Sequence, residues 1–490
     1  MPLDRRVTAG VALALAGTLA FVGGCTPNRA DPPPNPIVSG LPDPGPDAGR
    51  SDPVADPVYP AYGNPALDVL RYQLDLAWSP PQHQLRGTAT LTIRVATPVE
   101  ELALDFAGSY TVDEVTVDGA VATAGRRGDD LVVPAPRPLA AQTRTTLVVR
   151  YHGEPKSVPI PSGRRDFPEG VGLRATASGE AWTMQEPYGA FTWYPANDHP
   201  SDEALYDVAV TVPAGWTAVA HGALVGIDEA AAGTTYRWRS VDPVATYLAT
   251  LAIGRYTRLS DTGPHGLPIT YWLREVDGDS YLRPVLRRTP EMIAYLEQRF
   301  GPYPFPSAGV VLVDSVSAME TQQMVTLGAR LGPRRAIDEY AEILLHELAH
   351  QWFGDSVTPR DWRAIWLSEG FAMYAQWLWA VDVQGESDAE WLRWARERDR
   401  ISRSEAGTPG NWDPDHFAEN NVYVGPALLL RALHQELGED AFFSLARDWV
   451  QTQRNQPVDR AVFISFVNRH TGRDFTALID RWLDSPTTPA

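Results

Sequence analysis

EILLHELAHQWFG, residues 342–354, is the stretch that decides the fold of the second half of the chain. Its leucines and aromatic residues are typical of a buried helix, yet it also carries His346, Glu347 and His350. Side chains four residues apart share one face of a helix, so the two imidazoles project side by side. Glu347 is rotated by about 100° from His346 and flanks that face. This is the H-E-x-x-H arrangement of two zinc ligands and a general base.

The polar residues of this helix indicate a metal site, because buried imidazole and carboxylate groups need a binding partner. Burying two histidines and a glutamate without a ligand costs free energy, which makes a purely structural role the weaker interpretation. A catalytic zinc ion takes three protein ligands and keeps a fourth position for water. Zinc makes that water acidic enough to supply hydroxide near neutral pH. We therefore expect one Zn²⁺ per chain and a third ligand elsewhere in the sequence.

The third ligand brings a family resemblance with it. Eighteen residues separate His350 from Glu369, which stands in WLSEGFAMY. H-E-L-A-H followed at this distance by the glutamate of W-L-x-E-G-F-A resembles the M1 family of zinc metallopeptidases, the gluzincin aminopeptidases typified by aminopeptidase N and leukotriene A4 hydrolase. The resemblance implies that His346, His350 and Glu369 bind the zinc. It also implies that Glu347 is the general base that activates the water.

Two segments upstream of the helix resemble further motifs of this family. SAMETQ stands where members carry G-A-M-E-N, which implies that Glu320 binds the free α-amine of the substrate. The backbone at Ala318 and Met319 would then pair with the peptide as an added strand. TMQEPYGAFTWYPANDHP resembles the T-Q-x-E-P…D-x-P segment of the family's β domain and implies that Glu186 is a second carboxylate on that amine. Paired carboxylates on a cationic amine direct cleavage to the end of a peptide.

A tyrosine downstream resembles the family's oxyanion-binding residue. NNVYVGPALLL resembles the Y-x-K-G segment, whose tyrosine stabilises the tetrahedral intermediate. The resemblance makes Tyr423 the candidate, since a phenol can donate a hydrogen bond to developing negative charge. The alternative is a core aromatic residue beside a helix start.

The chain departs from the family motifs at five positions outside the zinc ligands and the base. They are Ser317 and Thr321 in place of Gly and Asn, Ser368 in place of Asn, and Gly425 and Pro426 in place of Lys and Gly. These departures affect the expected alignment of the peptide in the site and the expectation that only N-terminal residues are removed. They keep a zinc endopeptidase with an open cleft as an alternative.

The distribution of apolar residues predicts a multidomain fold. In RYQLDLAW, Tyr72, Leu74 and Leu76 share one face of a strand, and similar runs recur about every ten residues. We expect an N-terminal all-β domain over residues 61–256, with the saddle-like sheet of the M1 family. Residues 257–490 are expected to form a thermolysin-like α+β, helix-rich catalytic domain.

Within the catalytic domain we expect the H-E-x-x-H helix to start with Asp338 as its N-cap and to stop at Gly354. LSEGFAMYAQWLWAVD predicts another helix, and four more are predicted after it. These four are PALLLRALHQELG, DAFFSLARDWVQT, RAVFISFVNRH and FTALIDRWL.

The first 60 residues are typical of an export signal and a spacer. Two arginines, a short apolar run and Gly-Gly-Cys fill residues 1–25, a layout that resembles a bacterial lipobox. That resemblance implies a signal peptide over residues 1–24, a lipid on Cys25 and attachment to the surface of a membrane in the bacterial cell envelope. Residues 25–60 are rich in Pro and Asp, and we expect a disordered tether there.

Composition limits the functions that remain. The chain has 490 residues and a formal net charge of −19, without the basic patch or stripe of a nucleic-acid binder. Cys25 is the single cysteine, so no disulfide forms within the chain. We expect a monomer that acts on peptides with a free N-terminus.

The sequence therefore predicts a zinc-dependent aminopeptidase. A zinc endopeptidase, a non-catalytic M1-like binding scaffold and, more remotely, an epoxide hydrolase stay as alternatives. The intact ligands and base argue against the scaffold, because a scaffold has no need of them.

Overall fold

The computed structural model describes residues 37–45, 47–164, 167–275, 281–331 and 337–490. These residues belong to one compact unit, Pro36–Ala490. The predicted signal peptide and Cys25 lie outside the described residues. Within the described ranges, no helix combines the length and the hydropathy that crossing a membrane requires.

The N-terminal part is all-β, as the sequence predicted. Its strands are β1 Leu67–Ser79, β2 Gln84–Val95, β3 Val99–Asp105, β4 Tyr110–Val117, β5 Ala120–Ala122, β6 Gly125–Arg127, β7 Asp130–Leu139, β8 Arg144–Gly153, β9 Gly172–Ala175, β10 Ala181–Met184, β11 Glu203–Val212, β12 Thr217–Ala220, β13 Ala223–Ala230, β14 Gly233–Arg239, β15 Val244–Ala245 and β16 Leu251–Gly254. The main sheet has the order β13-β14-β11-β1-β2-β8-β4-β5, and β15 pairs with β11. Smaller sheets have the orders β12-β16-β10-β9 and β3-β7-β6.

Strand β1 shows why the period-two pattern works. Tyr72, Leu74 and Leu76 are buried, whereas Gln73 and Asp75 between them are exposed. Alternate side chains of a strand point to opposite faces, so one face of β1 joins the core and the other faces water. The predicted buried face of RYQLDLAW is confirmed.

The second part begins with a change of sheet between Gly254 and Tyr256. Its sheet has the order β17-β18-β19-β21-β20, with β18, β19 and β21 parallel and β17 and β20 antiparallel at the two edges. The strands are β17 Tyr256–Thr262, β18 Pro268–Arg274, β19 Ala308–Val313, β20 Ala318–Met319, β21 Val325–Gly328, and the short hairpin β22 Gly407–Thr408 and β23 Asn411–Trp412. The helices are α1 Arg283–Leu286, α2 Thr289–Phe300, α3 Ile337–Ala349, α4 Ile365–Asp382, α5 Asp388–Ala406, α6 Asn420–Leu437, α7 Glu439–Gln453, α8 Arg460–Thr471 and α9 Thr476–Asp484.

Helix α3 differs at both ends from the prediction. Asp338 lies inside its first turn rather than at the N-cap. The regular helix ends at Ala349 and continues as a wider turn over Gln351–Asp355, in which the Asp355 N–H donates to the carbonyl of His350 at 3.0 Å. This wide turn carries the chain away from the helix axis directly after His350.

Helix α5 was not predicted. Its sequence, DAEWLRWARERDRISRSEA, is dominated by charged residues. It is nevertheless packed, because Arg403, which forms a fully buried ion pair with Asp399 at 2.7 Å, also donates to the carbonyls of Trp482 and Ser485. A pattern based on apolar residues misses a helix that uses an ion pair in place of some of them.

The tether prediction was wrong for residues 51–60, which form, together with Ala61 and Tyr62, a segment that we call the strap. Ser51 donates from its hydroxyl to Asp68 of β1 at 2.9 Å. Asp56, which is 2% exposed, accepts from the main-chain N–H of Trp362 at 2.9 Å. The hydroxyl of Tyr59 donates to the carbonyl of Pro414 at 2.9 Å. The strap therefore contacts both the β domain and the helical part, because its few polar side chains find buried partners there.

Candidate active site

Helices α3 and α4 bring the three predicted ligands together. The Nε2 atoms of His346 and His350 lie 3.1 Å apart. Oε2 of Glu369 lies 3.2 Å from the first and 3.4 Å from the second. All three residues are buried. Helix α4 is buried on nearly all sides, which holds Glu369 against α3.

This donor set fits a zinc ion. Ligand bonds of about 2.0–2.1 Å at tetrahedral angles place donor atoms about 3.3 Å apart. The three separations, 3.1, 3.2 and 3.4 Å, match that value. Two imidazoles and one carboxylate are also a ligand type that catalytic zinc prefers.

The wide turn after α3 contacts the ring of His350 on its Nδ1 side. Its Nδ1 lies 3.0 Å from the carbonyl oxygen of Phe353 and 2.9 Å from the hydroxyl of Ser368. Gly354 has a φ of +122°, and a Cβ there would clash with the hydroxyl of Ser368 and lie 3.3 Å from Nδ1 of His350. A histidine whose Nδ1 is bonded in this way presents Nε2 to a metal. The turn therefore needs glycine at 354 and sets the orientation of the ligand.

Charge and burial act against each other among these groups. Burial opposes the charged form of Glu369, but the charge of His350 and hydrogen bonds from both imidazoles hold its pKa below the ordinary value. Burial also opposes protonation of His350, yet Glu320 and Glu369 raise its pKa well above the usual range. The surrounding carboxylates thus favour a cation at the position of the imidazoles.

Glu347 lies beside the ligands without joining them. One of its carboxylate oxygens lies within 4.8 Å of ligand atoms of His350 and Glu320. Burial, followed by the charge of Glu320, raises the pKa of Glu347 well above the usual value for a glutamate. A carboxylate whose proton affinity is raised in this way is suited to accept and return a proton.

Two further carboxylates converge on Glu369, one of the three predicted ligands. Oxygens of Glu186, Glu320 and Glu369 all lie within 4.8 Å of one another. Oε1 of Glu320 is buried and has no hydrogen-bond partner among the described residues. Burial, followed by the charges of Glu320 and Glu369, raises the pKa of Glu186 well above the usual value. A cationic group placed here would relieve the repulsion and satisfy the unpaired oxygen.

Glu320 follows the edge strand β20. Ala318 and Met319 form this strand and pair only with β21 in the described sheet, which leaves the outer edge of the strand unpaired there. The Gln351 side chain donates to the carbonyl of Glu320 at 2.9 Å. Thr321, at the family's Asn position, forms a buried hydroxyl contact with Thr326 at 2.8 Å. The side chain of Thr321 therefore packs against β21, the strand beside β20.

Glu186 follows β10 of the β domain. The neighbouring Gln185 donates from its side chain to the carbonyl of Thr246 at 2.6 Å and accepts from the indole of Trp193 at 2.9 Å. Its main-chain N–H lies 3.3 Å from the sulfur of Met319. These buried contacts fix the backbone that carries Glu186 against the edge strand of the other sheet.

Tyr423 lies in the first turn of α6 and faces the ligands. Its ring is half-buried and stacks on His346, with the ring centroids 5.8 Å apart. Its hydroxyl accepts a hydrogen bond from Arg164 of the β domain at 3.2 Å. Burial, followed by the charge of Glu369, raises the pKa of Tyr423 well above its ordinary value, so the phenol keeps its proton.

Gly425, which stands at the family's Lys position, allows two helices to pack closely in this chain. A Cβ on Gly425 would lie 2.6 Å from Oδ1 of Asp399 and 2.9 Å from Pro409. Helix α5 therefore approaches α6 too closely for a side chain at 425. The departure from Y-x-K-G reflects this helix contact, while Tyr423 keeps its position beside the ligands.

Sequence reasoning missed two residues of this site. Arg164 reaches it from a loop of the β domain, and no periodicity or motif of that loop indicates its contact with Tyr423. Ser368 was noted only as a departure, although it contacts His350. Its position directly before Glu369 was the signal that could have identified it.

Comparisons with known proteins identify the family of this chain. The sequence model of the Peptidase family M1 domain matches residues 285–482, and that of the Peptidase M1 N-terminal domain matches residues 69–248. Mouse aminopeptidase B is 28% identical over 489 aligned residues, which cover 86% of this chain and 70% of the relative. Aminopeptidase N of Streptomyces lividans is 23% identical over 86% of this chain and 50% of its own length. The chain thus spans only half of that second relative.

A solved structure matches nearly end to end. It is a variant of the M1 zinc metallopeptidase of Deinococcus radiodurans bound to a Tyr-Ser-Ala substrate. It is 29% identical, with a TM-score of 0.77, and the match covers 89% of this chain and 99% of that one. A second crystal structure, of the M1 zinc metallopeptidase from Deinococcus radiodurans, is 30% identical, with a TM-score of 0.77, and the match covers 89% of this chain and 98% of that one.

The fold and the site define a two-domain metallohydrolase with a zinc-type ligand set. The chain belongs to peptidase family M1, the zinc metallopeptidases, as the resemblance of its motifs predicted.

Proposed function

We propose that the chain is an aminopeptidase that removes N-terminal residues from peptides. The observation that carries the proposal is the convergence of Glu186, Glu320 and Glu369 within 4.8 Å. Such a concentration of buried negative charge fits the ammonium group of a peptide N-terminus. It lies directly beside the ligand set, so a bound amine would leave the first peptide bond next to the metal.

His346, His350 and Glu369 would hold one zinc ion. When bound, zinc supplies Lewis-acid chemistry, lowering the pKa of water and polarising a carbonyl group. Glu347 takes the proton from the attacking water and then delivers it to the leaving amine, which its raised proton affinity permits. Tyr423 donates its phenolic hydrogen to the oxygen of the scissile carbonyl as negative charge develops there.

The remaining residues orient the substrate. Glu186 and Glu320 bind the α-amine, and the outer edge of β20 pairs with the peptide backbone. The substrate is thereby fixed at its amino end and along its first residues. The binding of Tyr-Ser-Ala by the Deinococcus enzyme supports a peptide substrate for this chain.

The test compares substrates with and without a free amine. Aminoacyl-naphthylamides and their N-acetylated counterparts are incubated with the purified protein, each with and without a zinc chelator. We expect cleavage of the free-amine set alone, abolished by the chelator and restored by added zinc. Glu186→Gln and Glu320→Gln should lower kcat/KM for free-amine substrates by about 10²-fold, the cost of about 3 kcal/mol of lost charged contact.

Two results would contradict the proposal. Equal cleavage of acetylated substrates would mean that the carboxylates bind no amine, and a zinc endopeptidase would replace the aminopeptidase. Stoichiometric zinc without cleavage of either set would favour a binding scaffold or an unusual substrate such as an epoxide. Metal analysis and light scattering of the same sample test the expected one zinc per chain and the expected monomer.

We also propose that the protein is exported and anchored to a bacterial membrane by a lipid on Cys25. The sequence of residues 1–25 supports this. Mass spectrometry of the mature N-terminus and fractionation of a Cys25→Ala variant test it. Recovery of the wild-type protein in the soluble fraction, without a lipid, would contradict the anchor.

A further inference from the structure

Arg164 extends from the β domain to the oxyanion side of the site. It lies in the loop between β8 and β9. Its Nη1 donates to the hydroxyl oxygen of Tyr423 at 3.2 Å and to the carbonyl of Ala418 at 2.9 Å. The guanidinium carbon lies 4.9 Å from the ring centre of Phe167 and 5.9 Å from that of Tyr423. Two rings and a carbonyl thus hold the cation at the phenol.

The direction of this hydrogen bond matters for the phenol. A guanidinium has donors and no acceptor, so Tyr423 can only accept from Arg164. The hydrogen of the phenol must therefore point away from Arg164. The ring itself is fixed by its stack on His346. The ring and one lone pair of the hydroxyl oxygen are thus fixed, so the O–H group can point in only a few directions. One of these directions is toward the predicted zinc ligands.

We propose that Arg164 is a positioning residue that directs the Tyr423 hydroxyl toward the carbonyl oxygen of the scissile bond. The inference rests on the proposed function of the same site. Arg164 would act through the tyrosine, so its removal should slow the chemical step and leave substrate binding almost unchanged. The β domain would then contribute to the oxyanion side of the site as well as to the amine side.

The test is a double-mutant cycle with Arg164→Met and Tyr423→Phe, assayed on an aminoacyl-naphthylamide, which has no carboxylate. We expect Arg164→Met to lower kcat about 10-fold with KM changed less than about 2-fold, and Tyr423→Phe to lower kcat by about 10²–10³-fold. The double variant should match Tyr423→Phe, because the arginine has nothing to orient once the hydroxyl is gone. Arg150→Met, on the exposed face of β8, is the matched control and should retain full activity.

The inference would be overturned if the fold-loss of kcat in the double variant equalled the product of the fold-losses in the two single variants. A rise in KM confined to peptides with a free C-terminal carboxylate would also overturn it, since it would make Arg164 a substrate-binding residue. Thermal unfolding and zinc content are measured for each variant. If Arg164→Met loses stability or zinc, Arg164→Lys replaces it in the cycle, with the same expectation of non-additivity. An inactive wild-type protein would instead overturn the proposed function, so the two failures are distinguishable.

Discussion

Glu186 and Glu320 place carboxylate oxygens within 4.8 Å of each other, although one follows a strand of the β domain and the other an edge strand of the catalytic sheet. Neither domain alone contains this pair. Burial and mutual repulsion raise the pKa of Glu186. A cation between the two carboxylates would therefore stabilise the pair, and the relative position of the two domains would determine how well that cation binds.

Glu347→Gln should abolish most of the activity while zinc stays bound. The substitution keeps the shape of the side chain and removes its ability to accept a proton, so kcat should fall by about 10²–10⁴-fold. Metal analysis should give an unchanged zinc content, since Glu347 is not in the ligand set. Glu397→Gln, in an exposed pair with Arg400, is the control. Full activity of Glu347→Gln would remove the general base from the mechanism.

Ser368→Ala should weaken zinc binding. The substitution removes one of the two groups that contact Nδ1 of His350, at 2.9 Å, and leaves the carbonyl of Phe353. Loss of such a partner costs about 10–100-fold in metal affinity, and the lower end is expected here because one partner remains. A competing chelator measures the zinc Kd, with exposed Ser465→Ala as the control. An unchanged Kd would show that Phe353 alone orients the ring.

His346, Glu347 and His350 could be predicted because their chemistry depends on spacing within the sequence, whereas Glu369, Glu320 and Glu186 were predicted from the resemblance of their segments to M1 motifs. The H-E-x-x-H spacing fixes two side chains on one helix face, whatever surrounds them. Arg164 could not be predicted in this way. Its contact with Tyr423 spans 259 positions and is set by how a loop of one domain meets a helix of the other.

The structure of the strap could not be predicted for a different physical reason. A Pro- and Asp-rich segment buries too little apolar surface to order itself. Asp56 is ordered by the main-chain N–H of Trp362, which is 306 positions away. Local composition carries no information about such a partner.

Asp105→Asn should reduce the loss of stability between about pH 4 and pH 8. Burial, followed by the charge of Asp198, raises the pKa of Asp105 to about 8, from an ordinary 3.8. The folded state thus keeps a proton that the unfolded state releases. The resulting contribution to stability is complete below about pH 4 and is lost as the pH rises to about 8.

Asparagine cannot ionise, and its oxygen can still accept from the N–H groups of Gly63 and Asp198. Between about pH 5 and pH 8, the Tm of the wild type should therefore fall more steeply than that of the variant. Asp75→Asn, on the exposed face of β1, is the control. If the Tm of the wild type and of Asp105→Asn changed in parallel with pH, the raised pKa of Asp105 would be contradicted.

Asp56→Ala should destabilise the folded protein by about 2–4 kcal/mol, because buried N–H groups lose their acceptor. The carboxylate accepts from the main chain of Val58 and Tyr59 within the strap and of Trp362 outside it. The midpoint of urea unfolding measures the change. Asp52→Ala is the control in the same segment, since that side chain is 93% exposed. Equal midpoints for the two variants would mean that the strap adds nothing to stability.

The strap also determines how the molecule would respond to a mechanical pull on its N-terminal end. Force entering at residue 51 would meet Asp68 of the β domain first and then, through Asp56 and Tyr59, the helical part at Trp362 and Pro414. The load would be divided between β1 and the helical part. A pull on this end would therefore act on both of the domains that hold Glu186 opposite Glu320.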